Sequence, residues 1–516
     1  MLVMDRIFRD GTRFVDEHAR QVFFNGVNIS LKGEKKGDKT VYKFDSFTEK
    51  SVAALHARGI NLIRLVLTWD GVEPHPGIYD EIYLDHYREI VSWCEKYGIY
   101  FILDMHQDLY SSRIGDGAPE WATLTDGYPI EKPVAIWAEG YFYSRAVAHS
   151  FEHFWNNTQV YGKGLQDWYA AMWQHVIRIF ADSPALLGYD FINEPYPGLD
   201  GPGVFAGLVN AFMDRLGGGR ELPFDAARYL NRENQRAGFI RLAAEIGRRV
   251  RRCGLGRMKR LGEDRVVLRE ILMRVEPVIR RFDVEKYSPF LSKMAAAARA
   301  VTDRGIILID NCYYSNLGIP CSVRIPTVDG VPEAQVAFAP HGYDLFVDSP
   351  LYRFASEARV GMIFEEHRRT QQRLGVPVLV GEWGGFSSPT GYQRHAEFLL
   401  DLFNRNGWSR AYWAYASNHF SLHPVWKLLT RSYPQAVGGT VKKIKADDTE
   451  LMVVYSQEGG AGANRFWLNG ELDSLMVDGC ALMPGQYLLE TADCRGGILT
   501  FSTPPGEHQV RIQTRT

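Results

Sequence analysis

Between residue 22 and about residue 430 the chain alternates short, unbroken apolar runs with longer amphipathic segments, and this rhythm restricts the fold more than any other feature. The runs are Val22–Asn28, Leu62–Leu67, Tyr100–Asp104, Leu186–Phe191, Gly305–Ile309, Val336–Ala339, Val378–Val380 and Ser409–Tyr415. Helical periodicity falls between them, over Thr48–Arg58, Tyr83–Tyr97, Leu165–Ala181 and Tyr287–Thr302. Runs this short and continuous suit parallel strands covered on both faces. Eight such units predict a closed (β/α)8 TIM barrel rather than an open sheet. The fifth connection, Asp310–Gln335, reads as a loop instead of a helix.

Two stretches stand outside this repeat. Leu199–Val284 separates the fourth strand from its expected helix and carries 18 Lys and Arg against 11 Asp and Glu, a net +7. Since the whole chain is at -2, the remainder stands at -9. Within the insertion, Ile240–Arg252 reads as a basic amphipathic helix: a solvated lid or subunit contact, or a segment drawn to anionic lipid. From about Tyr433 onward the pattern changes to alternating apolar and polar residues punctuated by Gly and Pro, which predicts a small antiparallel β-sandwich that either binds ligand or, as the lack of an evident exposed aromatic cluster favours, braces the barrel. The expected organisation is therefore a catalytic barrel over 1–430, with a helical insertion at about 199–284, and a sandwich over 431–516.

The near-neutral net charge of -2 gives no nucleic-acid signal. No basic start with an apolar core marks a secretory leader, and no stretch approaches the roughly 18 apolar residues of a membrane span. The expectation is a cytoplasmic protein. Its six cysteines form no CxxC pair, so free thiols are the default, with Cys480 and Cys494 the one candidate pair.

In a barrel, chemistry collects where the strands end. Here those ends bear Arg64; Asp104, His106 and Asp108; Asn193 and Glu194; His341 and Tyr343; Glu382; and Trp413. Glycosidic cleavage needs two carboxyl groups flanking one bond, one protonated and one ionised. Glu194 and Glu382, ending the fourth and seventh strands, face each other across the barrel mouth. No cofactor is required by such a pair, and no cluster has metal-ligand spacing along the sequence.

The runs NGVNISLK, DMHQDLYS followed by GDGAPEWATLTDG, FWNN, NEP, PHGY, GEWGG and SYPQAVGGT resemble those of the retaining enzymes of glycoside hydrolase family 5, and within it the endoglycoceramidase group. The resemblance implies Glu194 as acid/base and Glu382 as nucleophile. It implies that Asn193 binds the sugar 2-hydroxyl, that Tyr343 and Arg64 contact the nucleophile, and that His341 sits beside the acid/base. Trp413 matches the aromatic floor under the sugar, and His106, Asp108 and Lys32 match glycone-binding positions. Physics agrees: a cation beside the nucleophile keeps it ionised, and the nucleophile's charge should help hold the acid protonated. Retention requires carboxyls roughly 5–5.5 Å apart. Trp121, Trp137 and Trp383 are candidates for the aglycone side.

The basic insertion departs from the group's pattern, and the lack of a leader is unusual for an enzyme of external glycolipids. Hydrolysis of a sugar–lipid β-linkage, as in glycosylceramides, is the first expectation. An exo- or endo-acting β-glucosidase or glucanase on soluble glycosides would use the same chemistry, as would transglycosylation onto an alcohol. A silent carbohydrate- or lipid-binding protein would not need both glutamates. Nothing in the sequence bears on oligomeric state.

Overall fold

The computed structural model describes residues 4–515 apart from 37–38, 132, 134–135, 219–223, 231–233, 348–353, 387–390, 416–423, 460–462 and 492–495. Its centre is a ring of parallel strands: β1 (Asn25–Ser30), β2 (Leu62–Thr68), β3 (Tyr100–His106), β4 (Leu186–Asp190), β5 (Ile306–Ile309), β6 (Val336–Phe338), β7 (Leu379–Gly384) and β8 (Ser409–Tyr415). The spatial order is β6-β5-β4-β3-β2-β1-β8-β7, and parallel bridges Phe338–Val378 and His341–Glu382 join β7 back to β6. The chain forms a (β/α)8 barrel.

Strand alternation sorts the side chains. In β2, Ile63, Leu65 and Leu67 join the cluster packed under the surrounding helices. Leu62 points inward and joins Phe24, Ile102, Leu187, Ile306, Leu308, Ala337, Leu379 and Ala411 in a separate apolar cluster inside the ring. Further along the same inward rows stand Asn28, Arg64, Asp104, Asp190 and Asp310, each at most 1% exposed. The barrel is thus apolar at its floor and ionic toward the carboxyl ends of its strands. Helices such as Glu81–Tyr97 close the outside; Asp80 caps its start by accepting from the Tyr83 N–H, and Gly98, at φ +66°, ends it.

Val22–Asn28, which reads as one strand, is two. Gln21–Val22 pairs antiparallel with Tyr433–Val437, and the chain enters the barrel only at Asn25. Phe8–Asp10 and Arg13–Val15 extend this sheet, with Asn464–Leu468, Gly497–Phe501 and Leu488–Thr491 beyond Tyr433–Val437. Facing it is a second antiparallel sheet of Thr440–Ala446, Glu450–Gln457, Gly506–Arg515, Glu471–Val477 and Cys480–Ala481. Side chains of both, including Val437, Leu451, Phe466, Leu499 and Ile512, make one apolar core, so the two sheets form a sandwich. Ile7, Phe14, Val22 and Ala436 continue the floor cluster of the barrel, so this sandwich stoppers the barrel end opposite the ionic rim. Cys494, and with it the candidate pair with Cys480, lies outside the described residues.

The insertion is helical: Gly201–Gly217, Ala227–Leu230, Gln235–Cys253, Leu255–Glu263, Arg265–Met273 and Glu276–Phe282 precede the barrel helix Ser288–Arg299. Its first helices pack around a satellite core that includes Met213, Leu216, Phe224, Leu230, Leu242 and Val250, with Tyr143 from outside the insertion, while Leu268, Leu272, Val275, Ile279 and Phe282 of its last helices join the main core. Among the described residues, no helix is long and apolar enough to cross a membrane.

Candidate active site

Arg64 organises the rim. Its Nη1 donates to Glu382 Oε1 at 2.8 Å and to Asn28 Oδ1 at 2.9 Å, while its Nη2 donates to Asp190 Oδ2 at 2.8 Å and Asn193 Oδ1 at 3.0 Å. Asp104 is 3.0 Å from the same Nη2. One guanidinium therefore faces three buried carboxyl groups. Burial alone would weaken its hold on the proton; Asp104, Asp190 and Glu382 outweigh that and keep it charged. Asp190 is pushed up to about 7, by burial first and by its carboxylate neighbours against the pull of Arg64.

Glu382 receives Arg64 on one oxygen and the Tyr343 hydroxyl on the other, at 2.9 Å. Glu194 lies across from it: single carboxylate oxygens of Glu194 and Glu382 and a His341 ring nitrogen all fall within 4.8 Å of one another. That is nearer the roughly 5–5.5 Å of a double displacement than the 6.5–9.5 Å that leaves room for water. Glu194 Oε1 accepts from Asn316 Nδ2 at 2.7 Å and lies 3.0 Å from His341 Nδ1. Its carboxyl is raised to about 7, by burial first and then by the negative charge of Asp108. Burial and Asp108, rather than the charge of Glu382 that was expected to help, are thus the leading causes of the rise. His341 is pushed down to about 3 by burial, so it stands neutral beside the acid.

Glu194 itself sits at φ +44°, a left-handed conformation uncommon for a residue with a side chain. The end of β5 supports it there: Asp310 Oδ2 accepts the Glu194 backbone N–H at 2.7 Å. Asp310 Oδ1 accepts the Asn311 N–H at 2.6 Å, and Asn311 Oδ1 accepts the His341 N–H at 2.8 Å. Burial raises Asp310 well above the ordinary carboxyl range, with Asp190 and Glu194 adding to it. Sequence reasoning missed Asp310, Asn311 and Asn316. The signal was present, because the run DNCYYSN follows the fifth apolar run directly, at the same strand end that pointed to the others.

A second group adjoins the first through Asp104. His106 stacks on Trp413 with ring centres 5.2 Å apart and planes 11° from parallel, and its Nδ1 is 2.8 Å from Asp104 Oδ2. Burial and Lys32 oppose its protonation, yet Asp104 and Asp108 lift it to about 10. The Lys32 ammonium pairs with Asp108, lies 3.0 Å from Asp116 and stands 5.2 Å from the Trp413 ring. Lys32, Arg64, His106, Asp108, Asn193, Glu194, His341, Tyr343, Glu382 and Trp413, all singled out from the sequence, are joined with Asp104 in one network of contacts.

Of the tryptophans, Trp383 does not reach it. It follows Glu382 in β7, so alternation turns it outward, where it is fully buried against Phe403 and Tyr412. Trp121 packs edge-on to Trp69 and Trp168 and donates to the Glu73 carbonyl. Trp137 is 43% exposed and edge-on to Tyr141, whose hydroxyl holds the Leu109 N–H beside Asp108. The fold also gathers three His/carboxylate groups that spacing along the chain did not reveal: His106, Asp108 and Asp116; Asp190, Asp310 and His341; Glu194, His341 and Glu382. In the first, the Lys32 ammonium already faces both carboxylates.

Compared with known proteins, the chain matches the profile of cellulase (glycosyl hydrolase family 5) over residues 15–215 and 282–419. The chain belongs to glycosyl hydrolase family 5. The gap in the match falls on the insertion, so its cationic helices are an addition to the family's barrel. The chain is 37% identical over 209 residues to an endoglycoceramidase of Cyanea nozakii, a stretch covering 36% of this chain and 41% of that protein. It is 28% identical over 195 residues to endoglycoceramidase I of Rhodococcus hoagii, covering 37% of each. The match thus spans about two-fifths of the length of these curated relatives. The fold superposes on endo-glycoceramidase II from Rhodococcus sp. in its ganglioside GM3 complex with a TM-score of 0.70, covering 98% of this chain and 100% of that one at 22% identity.

Proposed function

We propose that this family 5 chain is a retaining β-glycoside hydrolase that cleaves the sugar–lipid linkage of glycolipids such as glycosylceramides. The carrying observation is the unequal pair: Glu194 raised to about 7, and Glu382 within 4.8 Å of it and ion-paired with Arg64. Glu194 gives its proton to the glycosidic oxygen while Glu382 attacks the anomeric carbon, and the bond to the lipid alcohol breaks. The charge on Glu382 is then spent in the covalent glycosyl-enzyme. Glu194, now a carboxylate, takes a proton from water as that water attacks the same carbon and expels Glu382. Arg64 and Tyr343 hold Glu382 in line. Neutral His341 sits beside Glu194 without adding charge. In this reading Asn193 binds the sugar 2-hydroxyl, Trp413 the sugar face, and Lys32, His106 and Asp108 the outer hydroxyls. The endoglycoceramidase relatives, and the structures of endo-glycoceramidase II with GM3 and as a lactosyl-enzyme, support the glycolipid choice.

The test is a panel of aryl β-glucoside, aryl β-galactoside and detergent-dispersed glycosylceramides, run on wild type and Glu382→Gln, with the released anomer followed. Glycosylceramide turnover giving the β-anomer first, lost in the variant, is the expected outcome. Turnover of soluble glycosides alone removes the lipid assignment; activity that survives Glu382→Gln removes the site assignment.

A further inference from the structure

From Ile240 to Arg260 eight Arg and Lys stand against a single Glu. Folding consumes only part of this charge. The stretch buries Leu242 and Val250 in the insertion's satellite core, and Arg249 is buried against the Phe224 ring, 5.3 Å away. Arg257 turns back onto the Arg215 carbonyl at 3.3 Å, and Arg248 pairs with Glu245. Arg241, Arg251, Lys259 and Arg260 remain exposed and make no ion pair among the described residues.

Apolar side chains are exposed along these helices and at the start of the next, which holds Val266. Leu255 is 66% exposed, Val266 69% and Ile240 47%, and no side chain of helix Leu255–Glu263 is buried. Cations interspersed with unburied aliphatic groups on a short surface helix are what an interfacial segment presents: ammonium and guanidinium groups for lipid phosphates, aliphatic groups for the acyl boundary. The insertion is also joined to the catalytic face at two points. The insertion starts at Gly201, just past Glu194. The end of helix Leu255–Glu263 is tied to the rim by Arg359, which donates to the Gly262 carbonyl at 2.9 Å and to both oxygens of Asp344, one residue beyond Tyr343.

We propose that the outer face of helices Gln235–Cys253 and Leu255–Glu263 docks on an anionic lipid surface, bringing the mouth of the site to membrane-held glycolipid. The inference rests on the glycolipid reading for its purpose, and the partner follows from charge: a dense cationic face with exposed aliphatic groups complements a phospholipid bilayer.

The experiment is co-sedimentation of the full chain with phosphatidylcholine vesicles, with and without about one-third phosphatidylserine. Wild type should bind the anionic vesicles, weakly or not at all the neutral ones, and less as salt rises. Arg251→Glu, Lys259→Glu and Arg260→Glu together should lower anionic-vesicle binding roughly a hundredfold, at about fivefold per lost cation. Should that triple variant unfold, the glutamine version serves. In both, hydrolysis of a soluble aryl glycoside should match wild type, while hydrolysis of glycosylceramide in anionic vesicles falls. Equal binding to both vesicle types, no binding, or variant binding equal to wild type overturns the proposal. So does a change in molecular mass in place of a change in vesicle binding, which would make this face a contact between copies. If no glycoside is turned over, the functional reading fails while the sedimentation result still stands on its own.

Discussion

Replacing Asn316 by Ala isolates how the fold sets the proton affinity of Glu194. The orientation of the Asn316 amide is fixed, because its Oδ1 accepts from Asn311 Nδ2 at 2.6 Å and its Nδ2 therefore faces Glu194 Oε1 at 2.7 Å. An N–H donated to a carboxyl favours the ionised form, and hydrogen bonds to charged groups are worth about 1.5–3 kcal/mol, against about 1 for neutral ones. The difference is on the order of 1.4 kcal/mol, or one pKa unit. Glu194, held at about 7 largely by burial, should rise by about one unit when the donor is removed. Because glycosyl transfer needs Glu194 protonated, the alkaline limb of kcat/KM should move to higher pH by that amount. The assay is a pH–rate profile with a glycoside whose leaving group needs protonation, run beside a dinitrophenyl glycoside whose leaving group does not and which should lose the limb. An alkaline limb that stays in place, or moves toward acid, refutes this account of the site.

Arg64→Met should leave Asp104, Asp190 and Glu382 facing one another in the interior, costing about 3–5 kcal/mol of stability, seen as a lower calorimetric unfolding temperature together with lost activity. Glu194→Gln should gain stability over wild type as pH rises: the folded protein binds the Glu194 proton more tightly than the unfolded chain between pH 4.5 and about 7, so wild-type stability declines through that window. The gain, on the order of 3 kcal/mol by pH 8, would be read from urea unfolding at pH 5 and pH 8. Gly59→Ala should loosen the sandwich from the barrel, because a Cβ there would lie 2.3 Å from the Trp467 ring at a backbone φ of +77°; limited proteolysis near Tyr433 should speed up.

The barrel was legible because two-sided burial demands unbroken apolar runs, and the residues at their ends were legible because every such strand opens on the same rim. What failed did so for identifiable reasons. Val22 and Asn25 belong to different sheets, yet apolar content does not say which neighbour a strand takes. Trp383 is aromatic and adjacent to Glu382, but a period of two puts adjacent residues on opposite faces. Asp310 and Asn316 escaped because their work is done through other residues' hydrogen bonds. The insertion's charge was visible, whereas its satellite core depends on helices meeting in space.

The sheet that joins Phe8–Val15 and Gln21–Val22 to Tyr433–Val437 also bears on synthesis. A ribosome releases the first of these strands more than four hundred residues before their partner. Until then the three N-terminal strands pair only with one another, and the barrel floor lacks the rest of the sheet that covers it. A nascent chain halted before Tyr433 would thus display an unpaired edge and an uncovered apolar floor, a natural target for chaperones and proteases. Clipping either end should be felt at the other, whereas a circular permutant opened in the insertion would let these distant strands emerge close together.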